Sequence, residues 1–547
     1  MMGWQQHLVI YPILVPLLAA AIMLLTGESL RRVRVAISLF ATVVQLLVAL
    51  ILLDLVARGV GTSATDAVLV YRVGGWSAPF GIVLVADRLS AVMLVLSAVL
   101  ALLSLIYAMG RWDRLGPHFK PLFQLLLMGV NGVFLTGDLF NLFVFVEVLL
   151  VASYGLLLHG SGAPRVRAGL HYIAVNLFAS LLFLIGAALI YGVTGTLNMA
   201  DIAQRSAQLV TGDRTLFEVG AAVLGVAFLI KAGVWPLNFW LPATYSTAAA
   251  PVAAMFSILT KIGIYMLLRF GTLFSSFEVP LPFHGDWLFG IGLVTIVFGV
   301  TGMLTVQQPQ RMVAHCVIVS AGTLLAALGY GGTVMVGPAL FYLISSVLAT
   351  GAFFMIAEMI ERSRSFGANV LAISFETFGM EDPLDPDRPD DVVGVVIPAA
   401  LAFLGLGFIS CALLVTGLPP LSGFIAKFSI LSTALSTVSV ATAPLPTIVL
   451  ILAILGSGLA GLVALCRMGM RIFWSSDNRI TPRLRPIEAG PPALLVVLCL
   501  ALTVGAGPVI NYLNATGVAL SQPQNYINAV LTKSVVAPGS NTDWSAD

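Results

Sequence analysis

Apolar residues fill the chain in long runs that short polar segments interrupt. Most runs are about as long as the roughly 20 residues that a helix needs to cross a bilayer. The pattern predicts fourteen membrane-spanning helices. They lie near residues 8–26, 35–56, 83–109, 121–136, 139–158, 168–192, 216–242, 247–272, 286–306, 311–330, 335–360, 392–436, 443–466 and 491–513.

Two of these runs are longer than one span needs and contain internal prolines. The run 216–242 contains Pro236, and the run 392–436 contains Pro419 and Pro420. Proline interrupts helical hydrogen bonding, and a broken helix at membrane depth is tolerated only where protein or a water-filled cavity covers its backbone. We therefore predict that both runs are discontinuous helices.

Composition and charge agree with a polytopic membrane protein. Hydrophobic residues make up 59% of the chain, charged residues only 10%, and the mean hydropathy is +1.01. Soluble domains carry about 25% charged residues, so a soluble domain is excluded. The expected surroundings are a lipid bilayer, with no nucleic-acid partner.

Lysine and arginine are unevenly divided between the predicted loops. With the N-terminus outside, the cytoplasmic loops hold seventeen of them, whereas the external loops and the tail hold six. Cytoplasmic loops carry such an excess, so we expect both termini on the external side. Splitting 392–436 into two spans would move five arginines between residues 467 and 485 outside, and we reject that count.

Several segments between the spans have their own character. The external loop 57–82 contains residues 68–76, which could form a small hairpin. The cytoplasmic loop 362–391 contains an acidic, proline-punctuated run, 380–391, typical of a solvated linker, with a partner contact as the alternative. The four cysteines lie in or beside apolar runs without Cys-x-x-Cys spacing, so we expect no disulfide, no metal site and no cofactor.

Four ionisable side chains fall inside the predicted spans: Glu147, Lys231, Lys261 and Lys427. A charge in hydrocarbon costs at least ~2.5–3.5 kcal/mol on insertion scales, so such a residue is a functional-site hypothesis by default. A lysine between an apolar environment and a carboxylate can change its protonation when the partner moves. The alternatives are a protonated Glu147 in one hydrogen bond, permanent ion pairs, and a Lys261 that snorkels to the interface.

Further polar residues on the later spans are candidates for the same path. His315 could relay protons or could be an ordinary satisfied polar residue at a span end. Ser345, Ser346 and Thr350 could order water, or they could simply pack helices together.

The order of these groups along the chain indicates a transporter with two repeats. The carboxylate, the lysines and the histidine lie on separate spans, and the broken helices stand about five spans apart. Corresponding broken segments mark the substrate path in such proteins. The lysine precedes Pro236 in the first break and follows Pro420 in the second, as an inverted repeat can produce.

Three long motifs carry a resemblance to a known family. They are residues 136–147, residues 231–242 and residues 417–427, which read TGDLFNLFVFVE, KAGVWPLNFWLP and GLPPLSGFIAK. Over residues 80–475 the chain resembles the antiporter-like membrane subunits of complex I and of the Mrp (Pha) cation/proton antiporters. Within that family it is most similar to the D-type component, on the segment 171–176 and the second broken motif.

The resemblance implies an all-α polytopic fold with about fourteen helices, two inverted five-helix repeats, and discontinuous seventh and twelfth helices. It also implies that Glu147 and Lys231 form a switching ion pair, that Lys261 links it inward, and that Lys427 ends the relay. His315 stands on a span where relatives can carry a central relay group. The implied division is an N-terminal segment 1–120, repeats 121–272 and 286–466, and a C-terminal helix with an external tail, 467–547.

One departure from the family pattern separates two functions. Complex I relatives usually carry a lysine near Thr350, and here a relay would need water ordered by Ser345, Ser346 or Thr350. This favours a proton-translocating, non-enzymatic subunit of a secondary antiporter, exchanging Na⁺ (alternatively Li⁺ or K⁺) for H⁺ together with other subunits in the bacterial cytoplasmic membrane. The alternative is the proton-pumping arm of a complex I-like or hydrogenase redox complex. An inert scaffold is disfavoured by the insertion cost of four charges.

Overall fold

The computed structural model describes residues 7–26, 30–59, 68–116, 118–274, 285–378, 399–436, 444–474 and 484–531, with backbone only over 363–378. The predicted acidic run 380–391 and the end of the tail lie outside the described residues. In the N-terminal half the helices are α1 (Tyr11–Leu25), α2 (Arg31–Arg58), α3 (Arg88–Gly110), α4 (Phe119–Leu135), α5 (Leu139–Leu158), α6 (Ala163–Thr194), α7 (Met199–Ser206), α8 (Thr211–Ala232), α9 (Leu241–Thr247) and α10 (Ala250–Leu273).

The C-terminal half continues with helices of the same apolar character. They are α11 (Asp286–Thr305), α12 (Pro309–Gly331), α13 (Val336–Phe378), α14 (Ala399–Thr416), α15 (Ser422–Ser436), α16 (Leu445–Phe473), α17 (Pro486–Val504), α18 (Ala506–Leu520) and α19 (Pro523–Leu531). Every predicted span coincides with a helix or a broken helix in the described part of the chain, which confirms the polytopic helical fold.

Length and apolarity separate the spanning helices from the rest. Eleven stretches of the described chain are long and apolar enough to cross a membrane, and one of them, Pro309–Arg362, contains both α12 and α13. The apolar helices α1 and α4 are shorter. The last span ends at Val504, earlier than the predicted residue 513, because α18 begins a separate helix there.

The third span begins later than the sequence pattern predicts. Residues 83–86 form strand β2 (Val83–Ala86), which pairs antiparallel with β1 (Leu69–Arg72). Helix α3 starts only after Asp87, whose carboxylate accepts a hydrogen bond from the Ser90 backbone N–H at 2.9 Å while the Ser90 hydroxyl accepts one from the Asp87 N–H at 2.8 Å. The expected start at residue 83 was wrong because this apolar tetrapeptide completes a hairpin. We call the end of the molecule that carries β1 and β2 the hairpin face.

Both proline-containing runs are broken in the same way. Gly233 (φ 68°) directly follows α8, and Gly417 (φ 78°) directly follows α14. Each glycine stands three residues before a proline, Pro236 or Pro420. A positive φ at the end of a helix suits glycine, so the chain turns out of each helix before it resumes as α9 or α15. The two discontinuous helices are confirmed.

Helix α10 lies at the centre of the bundle. In its apolar window 94% of the residues are buried, whereas α2, α11, α16 and α17 bury 39% or less. Helix α10 packs against α3, α8, α12 and α13. A charge on α10 is therefore surrounded by protein and not by lipid.

Candidate functional site

Glu147 and Lys231 lie on two helices that both pack against α6. The Ser180 hydroxyl of α6 donates a hydrogen bond to the half-buried Glu147 carboxylate. Lys231, in the last turn of α8, is 7% exposed, and its ammonium has no hydrogen-bond partner among the described residues. The Glu147 charge reaches Lys231 electrostatically, but none of the ion pairs within 4 Å in the described part joins them.

A layer of three phenylalanines holds these helices one turn away from the charges. The ring of Phe183 on α6 lies 5.6 Å from that of Phe143 on α5 and 5.7 Å from that of Phe228 on α8, centroid to centroid. The spacings to Glu147, Ser180 and Lys231 are three or four residues, so each charged or polar group lies on the same helix face as its phenylalanine. Packed rings fix the separation of α5 and α8, and with it the gap between Glu147 and Lys231.

Lys261 lies in the interior of α10 and does not snorkel. It is 1% exposed, and its ammonium donates a hydrogen bond to the Ser320 hydroxyl of α12. The alternative of a lysine that reaches the interface is therefore wrong, because α10 is enclosed on all sides by other helices.

Lys427 folds back onto the break that precedes it. Its ammonium donates a hydrogen bond of 2.8 Å to the backbone carbonyl of Thr416, the last residue of α14. The carbonyl end of a helix carries a partial negative charge, which favours a cation there. A side chain at Gly417 would occupy this space, since an added Cβ would lie 2.5 Å from Lys427 Cδ.

His315 lies on a different side of α12 from Ser320. Its ring packs against Gly302 of α11, where an added Cβ would lie 2.1 Å from Nδ1, and against Phe298. Five helical residues separate His315 from Ser320, which turns them about 140° apart. The hydrogen bonds and ion pairs of the described residues do not connect His315 with Lys261 or Lys427.

A polar stripe on α12 lies between the two later lysines. Cys316 is within electrostatic reach of Lys427, and Ser320 binds Lys261. Thr323, one turn further, shares a hydrogen bond with Tyr342 of α13. Cys316 and Tyr342 were not predicted from the sequence as members of this group, and the spacing of Cys316, Ser320 and Thr323 was the signal that could have found them.

The three proposed water-ordering residues do not behave alike. The Ser345 hydroxyl is 2.8 Å from the Ser422 hydroxyl and so joins α13 to the second half of the broken helix. Ser346 and Thr350 instead donate to carbonyls of their own helix, at 3.0 Å and 2.7 Å. Of the three, Ser345 makes the inter-helix contact.

Three cations that the charge count placed in loops are paired within helices. Arg269 of α10 binds Asp87 at 2.5 and 2.8 Å. Lys120 of α4 lies 3.1 Å from Asp113, and Arg362 of α13 binds Glu488 at 3.0 and 2.8 Å. Each cation lies near a helix end, where the sequence pattern of a span and of a loop overlap, so the loop assignment was wrong for these three.

The buried carboxylate Glu358 was likewise missed as a structural centre. It accepts hydrogen bonds of 3.0 Å from the Trp112 indole N–H and from the backbone N–H of Ala250, the first residue of α10. It therefore caps the central helix at the end opposite the hairpin face. The described cysteines are free thiols, three of them buried, and the described residues contain no cluster of His, Cys, Asp and Glu that could hold a metal ion.

Comparisons with known proteins place the chain in a family. The sequence profile described as NADH:quinone oxidoreductase/Mrp antiporter, TM, matches residues 136–384. A probable K⁺/H⁺ antiporter component of the D type from Rhizobium meliloti is 49% identical over 97% of this chain and 99% of its own length. The D-type component of a Na⁺/H⁺ antiporter from Alkalihalophilus pseudofirmus is 33% identical over 96% of this chain and 100% of its own length.

Solved structures agree with these relatives. A chain of the Mrp complex from Dietzia sp. superimposes with a TM-score of 0.81 at 27% identity, covering 97% of this chain and 100% of that one. A chain of an archaeal membrane-bound sulfane sulfur reductase superimposes with a TM-score of 0.79 over 96% of this chain and 100% of that one, at 24% identity, which shows a shared fold alone. The chain is a multi-pass component of a multi-subunit cation/proton antiporter and belongs to the D-type family of Mrp antiporter proteins.

Proposed function

We propose that this chain carries the proton path of the antiporter and that Glu147, Lys231, Lys261 and Lys427 are its titrating groups. The observation that carries the proposal is the Lys231 ammonium, which is buried and has no hydrogen-bond partner among the described residues. A buried cation without a partner is costly, so Lys231 gains from the approach of a carboxylate or from the loss of its proton. Glu147 is the carboxylate within electrostatic reach.

The switch follows from the two partners available to Glu147. While Glu147 accepts the hydrogen bond of Ser180, Lys231 stands apart from it and its proton is released more easily. When Glu147 moves to Lys231, the ion pair holds that proton. Movement of one side chain thus exchanges two protonation states, and the phenylalanine layer keeps the helices still while it occurs.

The inward continuation runs over α10 and α12 to the second break. Lys261 passes its charge to the polar stripe around Ser320, and Lys427 lies at the far end of that stripe. Ser345 supplies the contact at the second broken helix where complex I relatives have a lysine. His315 remains a candidate only through its position on α12, because its ring faces α11.

The transported cation and the orientation are part of the same proposal. Relatives named for K⁺/H⁺ and for Na⁺/H⁺ antiport both match almost the whole chain, at 49% and 33% identity. We propose monovalent-cation exchange with K⁺ or Na⁺, and we place the hairpin face and both termini outside, as the excess of positive charge on the other side requires. The redox-pump alternative has only fold-level likeness in its support, at 24% identity or below.

Glu147→Gln and Lys231→Ala test the switch. The assembled complex, in everted membrane vesicles, should lose K⁺- and Na⁺-dependent proton release in both variants, because neither can form the ion pair. Glu218→Gln is the matched control: Glu218 lies on the same helix as Lys231 but pairs with Arg214 at 3.3 Å, half-exposed. Subunit content after affinity purification verifies assembly. Full antiport by an assembled Glu147→Gln complex contradicts the proposal, and the response to K⁺ against Na⁺ identifies the cation.

A further inference from the structure

We propose that Tyr265, Arg269 and Leu89 form a gate between Lys261 and the hairpin face, through which protons enter or leave the central lysine. The inference rests on the proposed proton path and adds its connection to the solvent. Lys261, Tyr265 and Arg269 follow one another at intervals of four residues on α10, so they lie along one face of the central helix.

An outer cavity opens beside Arg269. Its volume is about 50 Å³, and since one water needs ~10–15 Å³ by this measure, it has room for a few water molecules. Asp87, Arg269, Thr516, Asn525 and Tyr526 contribute to its lining. Helix α19 covers the cavity through Tyr526, whose ring centroid lies 5.4 Å from the Arg269 guanidinium carbon.

Continuous hydrogen bonds lead inward from this cavity. Both Arg269 terminal nitrogens donate to Asp87, and one of them also donates to the Tyr265 hydroxyl at 3.2 Å. The Tyr265 hydroxyl donates in turn to the Phe134 carbonyl at 2.9 Å. A hydroxyl in such a chain can accept a proton on one side and give one up on the other.

A second, inner cavity lies on the far side of Tyr265. It measures about 10 Å³, is lined by Tyr265, Ile264, Leu324 and other apolar side chains, and has room for about one water molecule. Ile264 and Leu324 stand three and four residues after Lys261 and Ser320. The inner cavity is therefore about one helical turn, roughly 5 Å, from the Lys261–Ser320 contact.

Leu89 separates the two cavities. It lines both of them and is itself 1% exposed. An apolar constriction of this kind blocks a path by excluding water and opens it when water enters. A small movement of α3 or of α19 would join the cavities and bring water to Lys261.

The chemistry of the gate suits protons and disfavours metal cations. Arg269 and Arg88 both line the outer cavity, so a free cation meets positive charge there. The one carboxylate, Asp87, already has both oxygens bound by Arg269. A proton passes along hydroxyls and water without needing a ligand cage.

The test uses the purified whole complex in proteoliposomes. Tyr265→Phe removes one hydroxyl without altering the ring, and antiport should fall at least about tenfold because a proton-transferring group is lost. Leu89→Ala joins the cavities, and proton flux in the absence of K⁺ and Na⁺ should rise severalfold. Tyr107→Phe is the matched control: that buried hydroxyl donates to the Met355 carbonyl, away from both cavities, and its loss should change neither rate.

Glu147→Gln, measured in the same preparation, separates this gate from the switch. If Glu147→Gln abolishes antiport while assembled Tyr265→Phe retains the native rate, the gate is wrong and the proposed function stands. If Glu147→Gln is fully active, the proposed function itself fails. An assembled Leu89→Ala complex with native proton flux also overturns the gate, and Leu89→Val serves if the alanine variant does not assemble.

Discussion

Lys231 and Lys427 reach equivalent places in two broken helices by different routes. Lys231 lies in the last turn of α8, two residues before Gly233, whereas Lys427 comes ten residues after Gly417 and folds back to the carbonyl of Thr416. Both ammonium groups therefore stand near the carbonyl end of a half-helix, where the partial negative charge stabilises a protonated amine. The reversed order of lysine and proline along the chain produces the same local chemistry.

His159 gives a pH dependence outside the membrane spans. It directly follows α5, and its Nε2–H donates to the Trp112 carbonyl at 2.8 Å. Burial lowers the pKa of His159 from its ordinary 6.5, and the Arg165 charge lowers it further, against the opposing effects of the Trp112 carbonyl and Asp113. Between the lowered pKa and 6.5 the unfolded chain binds more protons than the folded protein, so stability rises with pH in this window and is lost on acidification.

The melting temperature of the detergent-solubilised complex should therefore fall between about pH 7.5 and about pH 5.5. His159→Gln keeps a donor for Trp112 but cannot be protonated, so the fall should become smaller. His171→Gln is the matched control, because His171 is exposed and bonds only the carbonyl of Arg167 within its own helix. An unchanged pH dependence in His159→Gln would show that other groups cause it.

The broken helices depend on glycine as well as on proline. Prolines marked both breaks in the sequence, but they did not locate the turn itself, which occurs three residues earlier at Gly233 and Gly417. The opposite error occurred at β2, where four apolar residues read as part of a span although their backbone pairs with β1. Local apolarity predicts burial well, but it does not distinguish a strand under the bundle from the first turn of a helix.

Gly417→Ala should weaken both the fold and transport. Its φ of 78° is strained for alanine by about 1–2 kcal/mol, and the new methyl group would meet Lys427 Cδ at 2.5 Å and displace its ammonium from Thr416. We expect a lower melting temperature and a severalfold loss of antiport. Gly456→Ala on α16 is the control, since nothing lies within 4 Å of the added Cβ. Equal behaviour of the two variants would exclude a special role for Gly417.

Ion pairs near the two ends of the bundle join helices that are distant in sequence. Asp87–Arg269 links α3 to α10 at the hairpin face, and Arg362–Glu488 links α13 to α17 at the opposite face. Between them the described bundle is held mainly by apolar packing, which is non-directional. Paired charges at the ends therefore contribute to selecting which helices are neighbours.

Arg362→Ala should destabilise the whole protein by about 3 kcal/mol, because it leaves Glu488, whose side chain is 5% exposed, without its charged partner. The charge-swapped double variant Arg362→Glu/Glu488→Arg should recover part of the loss. Arg214→Ala, which breaks an exposed pair, should cost no more than about 1 kcal/mol. Thermal unfolding and the yield of assembled complex are the measurements, and a swap no better than the single variant would argue against a pairing role.

The sequence by itself determined the number of spans, the presence of charges within them and the existence of both breaks. These properties are local: a window of about 20 residues decides insertion, and proline acts on its own turn of helix. Only the tertiary structure decided the partners, Ser180 for Glu147, Ser320 for Lys261 and the Thr416 carbonyl for Lys427. It also turned His315 towards α11. Those contacts depend on how helices far apart in sequence rotate and pack against each other, which no local pattern specifies.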